Sequence, residues 1–133
     1  MNFYCTNCWS AVNDSSKICP FCGDDLQAQR QQPDFIDKHI AALRDSETAT
    51  QVRAAWVLGE RHEYKAVAAL IALARQSDDA YVIETAVEAL GKIGDWTAWD
   101  TLQAASAHAN PRVQHKALQA IQRLQRGPDI KRR

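Results

Sequence analysis

All four cysteines of this 133-residue chain fall within its first 22 residues, as Cys5-Thr-Asn-Cys8 and Cys19-Pro-Phe-Cys22. Two C-x2-C pairs offer four soft thiolates, which suit a closed tetrahedral site for one structural Zn²⁺. The expected ligands are Cys5, Cys8, Cys19 and Cys22. The two-residue spacer lets one tight turn deliver both sulfurs of a pair. Gly23 comes directly after the last cysteine and accepts positive φ, so the backbone can turn its amides toward the sulfurs. A catalytic zinc needs an open position, usually with His or carboxylate ligands, and none is offered. A redox C-x-x-C would sit beside a βαβ pattern, which the sequence lacks.

The elements that must hold these cysteines are small. Asn13-Asp14-Ser15-Ser16 is turn chemistry between Ala11-Val12 and Lys17-Ile18, so a hairpin is expected between the two metal knuckles. About 25 residues cannot bury a sufficient core, and a metal replaces it. Phe3, Tyr4, Trp9 and Phe21 are expected to form the thin apolar skin. With Tyr-Cys-Thr-Asn-Cys-Trp and Ile-Cys-Pro-Phe-Cys-Gly, the stretch over about residues 3–26 resembles the small zinc-ribbon family. That resemblance implies metal binding; ribbons bind nucleic acid, bind proteins, or merely fold. Asp24 to Pro33 comes next, with four glutamines and Leu26 as its large apolar residue. This is the composition of a solvated, partly helical connector.

From Phe35 onward apolar residues recur at three and four, the helical period. Val67, Leu70, Ile71 and Ala74 make one stripe; Val113, Ala117, Ala120, Ile121 and Leu124 make another. Six helices are predicted, over about 34–44, 48–59, 65–76, 80–93, 97–109 and 111–125. Asn110-Pro111 is an N-cap followed by proline at the first helical position, and Gly94 and Gly127-Pro128 are stops. The helices repeat in pairs. Ala54-x-x-Val57-Leu58-Gly59 returns as Ala86-x-x-Ala89-Leu90-Gly91 and again as Ala117-x-x-Ala120-Ile121, a period near 31 residues. Two helices per unit at that period predict a mostly α protein built as a three-repeat α-solenoid.

On Ala-Val-Glu-Ala-Leu-Gly-Lys-Ile-Gly-Asp, Ala-Ala-Trp-Val-Leu-Gly-Glu and Asn-Pro-Arg-Val-Gln, residues 35–125 resemble the short bacterial HEAT-like repeats first grouped with phycobilisome lyases. The resemblance implies a fold and hardly a function. The family's usual arginine at the start of each second helix is here Gln51, Ile83 and Gln114, so its Asp–Arg ladder is missing. The expected organisation is a ribbon over 1–26, a connector over 27–34, a HEAT-like domain over 35–126 and a basic tail over 127–133.

Two positions of repeat one break the pattern. Opposite the core stripe of the second helices stand Val52, Glu84 and His115, and one turn later Trp56, Glu88 and Gln119. Repeats two and three are polar there; repeat one places Val52 beside Trp56. In the HEAT-like arrangement this face is concave. Val52, Trp56, Arg53, Glu84, Glu88, His115 and Gln119 are therefore candidate partner-binding residues. The alternative is that the ribbon or connector folds back over Val52 and Trp56.

Lys and Arg number 16 against 16 Asp and Glu. The ribbon side up to Asp34 is net −2, the repeats are balanced, and the tail with Lys131, Arg132 and Arg133 is net +2. That balance argues against broad nucleic-acid binding, which rests on neutralising phosphates. No run approaches the roughly 18 apolar residues of a membrane span. MNFYCTNCWS has no signal-peptide pattern, so a reducing, cytoplasmic location is expected. The four histidines form no ligand pair at helical spacing, and no nucleophile–base pair emerges. The expected function is a non-catalytic adaptor for a protein partner. A nucleic-acid-binding regulator is second, and an enzyme like the bilin lyases, or a chaperone, is third.

Overall fold

The computed structural model describes residues 2–13 and 15–126. Its larger part is three helix pairs. They are α2 (Phe35–Ala42) with α3 (Thr48–Glu60), α4 (Val67–Gln76) with α5 (Ala80–Ile93), and α6 (Trp99–Ala105) with α7 (Pro111–Gln125). A short helix, α1 (Leu26–Gln31), precedes them, and a two-stranded antiparallel sheet, β1 (Asn2–Tyr4) with β2 (Ala11–Asn13), opens the chain. The six expected repeat helices are present. The first helices are shorter than their periodicity suggests, because α4 and α6 are each entered through a 3₁₀ turn, Tyr64–Ala66 and Trp96–Ala98. Helix α6 ends at Ala105, four residues before the expected stop.

Side chains fix the helix starts. Asp79 Oδ1 accepts from the Tyr81 and Val82 amides at 2.8 and 3.3 Å, and Asn110 Oδ1 accepts from the Arg112 amide at 2.9 Å behind Pro111. Such caps satisfy orphan donors of a first turn. Gly94 ends α5 at φ +78°. The equivalent left-handed residue after α3 is His62, at φ +52°. Its Nδ1 lies 2.8 Å from the Lys92 carbonyl as donor, a contact that offsets the backbone strain of a non-glycine residue there. Gln51 and Gln114 occupy the missing arginine positions and tie down the loops before their helices. Gln51 donates to the Leu43 and Asp45 carbonyls at 3.3 and 2.9 Å, and Gln114 donates to the His108 carbonyl.

The solenoid core is one continuous cluster, with Leu58, Leu70, Leu90, Leu102, Val113 and Leu124 fully buried. Gly59 and Gly91 lie inside α3 and α5. A Cβ built on Gly59 would sit 2.8 Å from Ala89 Cα, and one on Gly91 would sit 2.7 Å from Ala120 Cβ. These glycines set the close approach of successive second helices, which is why Gly recurs in the repeat. Carboxylate–cation pairs bridge the same helices: Glu60 with Lys92, Glu84 with Arg112 and Glu88 with Lys116. They link successive repeats in the absence of an Asp–Arg ladder.

One expectation for the N-terminal part is corrected. The hairpin does not join Ala11-Val12 to Lys17-Ile18; β2 pairs instead with β1, Phe3 opposite Val12, while Ile18 bridges to Asp25. Each metal knuckle is thus the loop of its own short antiparallel pairing. The turn at Asn13 forms, with Ser15 and Ser16 amides on its side-chain and backbone oxygens, but it connects the two knuckles. The expected connector holds helix α1, capped by Asp25 and with Leu26 buried in the ribbon's core beside Cys5, Val12 and Cys19. The expected basic tail, 127–133, lies outside the described residues.

The glycine contacts carry a direct test. Gly91→Ala puts a methyl against Ala120 in a packed seam and should destabilise the solenoid by about 1–3 kcal/mol. Urea unfolding followed by helical circular dichroism measures it; Gly91→Ala unfolding at the wild-type midpoint would contradict the packing.

Candidate functional site

The two knuckles are built alike. The Trp9 amide donates to the Cys5 carbonyl at 2.7 Å and the Cys5 amide to the Ser10 carbonyl at 3.1 Å. In the second knuckle the Gly23 amide donates to the Cys19 carbonyl at 2.9 Å and the Cys19 amide to the Asp24 carbonyl at 2.9 Å. These turns bring the ligand sulfurs of Cys5, Cys8, Cys19 and Cys22 within 4.8 Å of one another. Cys5 and Cys22 Sγ are 3.6 Å apart, and Cys8 and Cys19 Sγ are 3.7 Å apart. Tetrahedral Zn–S bonds of about 2.3 Å place sulfurs roughly 3.8 Å apart. A disulfide would need about 2.05 Å. The donor set and its spacing therefore fit one tetrahedral metal ion.

Four sulfurs this close resist ionising together without a cation. Hydrogen bonding to Ser10 lowers the Cys8 thiol to about 6. Asn7 and Asp24 favour the Cys22 thiolate, but burial with the neighbouring Cys19 and Cys5 outweighs them and holds it up at about 11. Donors surround the sulfurs. The Asn7 amide and side chain reach Cys5 and Cys22 at 3.4 Å each. Gln29 Nε2, from α1, donates to Cys5 Sγ at 3.3 Å and also to Asp24. Gln29 Oε1 accepts from the Thr6 amide at 3.0 Å. Gln29 is buried, and its amide clamps the first knuckle, a role no motif announces. Its only sequence signal is its place one turn after Leu26.

The ribbon sits on the first helix pair. Phe3 and Tyr4 of β1 meet Trp56 of α3 edge-on, with ring centroids 6.5 and 6.1 Å away. Trp9 packs against His39 of α2 at 5.2 Å, nearly perpendicular. Arg53 of α3 donates to the Trp9 carbonyl and lies 5.4 Å from the Tyr4 ring. Phe3, Tyr4 and Trp9 are thus a docking surface, while Phe21, on the other knuckle, is exposed. His39 is fully buried; burial lowers its pKa, and its Nδ1 donates to the Phe35 carbonyl at 2.8 Å. Trp9 has φ +60°. It holds in the first knuckle the left-handed place that Gly23, at φ +81°, holds in the second.

The candidate partner residues divide. Trp56 is half-buried under β1, and Arg53 is engaged with Trp9 and Tyr4. Val52, Glu84 and Glu88 line a groove of about 370 Å³ with Tyr4, Tyr81 and Lys116. A second cavity of about 330 Å³ shares Tyr4, Val52 and Tyr81. His115 and Gln119 are exposed on α7 and lie outside both cavities. Sequence pattern does not single out Tyr4, Tyr81 or Lys116 as groove residues. Tyr81 is legible as a ring at the start of a second helix, whereas Tyr4 depends on the ribbon's docking.

Residues 36–128 match the family model for HEAT repeats. A search of curated proteins found no match. No helix among the described residues is long and apolar enough to cross a membrane.

Two outcomes are expected from this geometry. Gln29→Leu removes the amide clamp on Cys5 and should weaken metal binding about 10–100-fold, the usual effect of losing a ligand's supporting bond; chelator competition measures it. Docking can be separated from metal binding through Trp9. In a background where Trp96 and Trp99 are Phe, Trp9→Phe should report Trp56 as shielded until chelator shifts its emission to the red. Trp9→Gly in that background should still bind metal with α1 intact, yet be red-shifted from the start. Equal emission from the two metal-loaded proteins would show that Trp9 does not hold the ribbon down.

Proposed function

The chain belongs to the HEAT-repeat family, and on that premise we propose that it is a non-catalytic protein-interaction module carrying one structural zinc ion. The zinc is held by Cys5, Cys8, Cys19 and Cys22 and keeps the ribbon folded on the first helix pair. HEAT repeats serve protein interaction, which supports this reading over an enzyme. Its carrying observation is the docking of Phe3, Tyr4 and Trp9 onto Trp56 and His39. That contact turns ribbon and repeats into one surface, with a groove along α3 and α5 opening beside β1. Val52, Glu84 and Glu88 act there as partner-facing residues, with His115 and Gln119 as its outer rim on α7. Trp56 and Arg53 act from beneath, as the seat of the ribbon.

Zinc is favoured by the all-thiolate tetrahedral set, which selects Zn or iron–sulfur chemistry among common metals. Protein purified without chelator should contain about one zinc per chain and show no visible absorbance. A coloured, iron-containing protein, or one with no metal, would overturn the assignment. The partner surface is tested by affinity purification from the native host. Tyr81→Ala removes an exposed ring and should leave the fold unchanged. A partner recovered with wild type should be lost with Tyr81→Ala; equal recovery of every partner would remove the groove from the interaction surface.

A further inference from the structure

Helix α5 presents Tyr81, Glu84 and Glu88 along the groove, at i, i+3 and i+7, the spacing of one helical face. Glu84 is only 9% exposed. A buried carboxylate is costly unless well paired. Its one ion pair among the described residues is to Arg112 Nη2 at 3.3 Å, longer than the 2.7–2.9 Å usual for such contacts. The Arg112 side chain is itself 72% exposed, so the counter-charge stands on a solvated arm. Glu88 repeats the arrangement one turn on, with Lys116 also at 3.3 Å. An ionised carboxylate accepts at about four lone-pair sites, which leaves both groups capacity for a second cation.

The rings beside them favour the same guest. The chain already sets its own cations against two groove aromatics, Arg53 at Tyr4 and Lys92 at Trp56, at 5.4 and 6.0 Å. Tyr81 is 57% exposed and has no ring or cation partner among the described residues. An ammonium or guanidinium between the Tyr81 face and the Glu84 carboxylate would gain a cation–π contact and a charge-assisted hydrogen bond together. The adjoining cavity is lined by Tyr4, Thr48, Ala49, Val52, Arg53 and Tyr81; Arg53 is held on the Trp9 carbonyl and beside the Tyr4 ring, and Ala49, Val52 and the Tyr81 ring suit an apolar side chain. Two cavities side by side, open at the surface and sharing a wall, suit a segment of polypeptide better than a lone amine.

We propose that this groove binds a basic segment of a partner protein, a Lys or Arg seated at Glu84 and Tyr81 with an apolar residue within two positions of it. The proposal rests on the interaction-module reading and names its partner's chemistry.

The test is selection of displayed random dodecapeptides on the full, metal-loaded chain, followed by titration of synthetic copies of those selected. Selected peptides should share Lys or Arg beside an apolar residue. Their affinity should fall about tenfold or more for Glu84→Gln, and for peptides with citrulline or norleucine in place of the basic residue. Circular dichroism and metal content verify that Glu84→Gln is folded. Selection without basic preference, or affinity unchanged by Glu84→Gln, overturns the proposal while leaving the interaction module standing. No selected peptide of any kind overturns both. Light scattering adds one further outcome: a concentration-dependent dimer dissolved by Glu84→Gln assigns the groove to a second copy of the chain and overturns the basic peptide.

Discussion

The seating of Trp9 on His39 joins two parts that are each incomplete alone. The ribbon's own core is Cys5, Val12, Cys19 and Leu26, too little apolar surface to hold a fold without metal. The solenoid has the opposite deficit. A stack of helix pairs buries its faces against neighbours, and its first pair has a neighbour on one side only. The ribbon supplies cover for Trp56 and His39, and the repeats supply a surface for rings the ribbon could not bury. The backbone shows how much depends on this contact. A tryptophan in the left-handed region is strained by about 1–2 kcal/mol, and it sits where glycine would be unstrained. A glycine there would take the ribbon's ring away from His39 and leave it Phe35 of its own helix, 4.5 Å away.

The two knuckles show the same logic by contrast. Their amide–carbonyl turns match bond for bond, so one backbone serves both C-x2-C pairs. The residue after each pair's second cysteine differs. Gly23 lets the second knuckle turn freely and leaves Phe21 in solvent, while Trp9 turns the first toward the helices. Position in a nearly symmetric motif thus decides which half faces the protein and which faces outward. Gln29 then fixes the inward half, since its amide reaches Cys5 and Thr6.

Legibility in the sequence tracks the range of the forces involved. Cysteine spacing is local chemistry, and it is enough to single out the four thiols that the fold gathers within 4.8 Å. Helical periodicity and the 31-residue repeat are local too, and they put Trp56 on the face away from the core. The covering of Trp56 is visible only as an anomaly, because the rings that cover it, Phe3 and Tyr4, lie far earlier in the chain. The strand pairing escapes for a related reason. Asn13 to Ser16 does form its turn, but pairing is decided by which backbone lies across each metal knuckle, and composition does not carry that. Gln51 and Gln114 register in the sequence as an absence of arginine. In the fold their amides reach the loop carbonyls just before each second helix, so the helix start is tied down without a guanidinium. Gln29 resembles any glutamine in a polar stretch until the fold brings it to Cys5.

With the proposed metal bound, this architecture makes the groove depend on it. One wall, Tyr4, belongs to β1; the others belong to α3, α5 and α7. Tyr4 stands adjacent to Cys5 in sequence, so the wall is placed by the backbone of a proposed metal ligand. A polypeptide seated against Tyr4 and Glu84 together touches the docked ribbon and the repeats at once, and therefore binds the docked form in preference to a released one. By linkage, that binding would stabilise the docked ribbon, and the proposed metal would tighten the groove's hold on the polypeptide by the same factor. The coupling needs no moving part inside the solenoid. It comes from building a single recognition surface across a contact between two cores, one of which, on the proposed reading, folds around a cation shared by its thiolates.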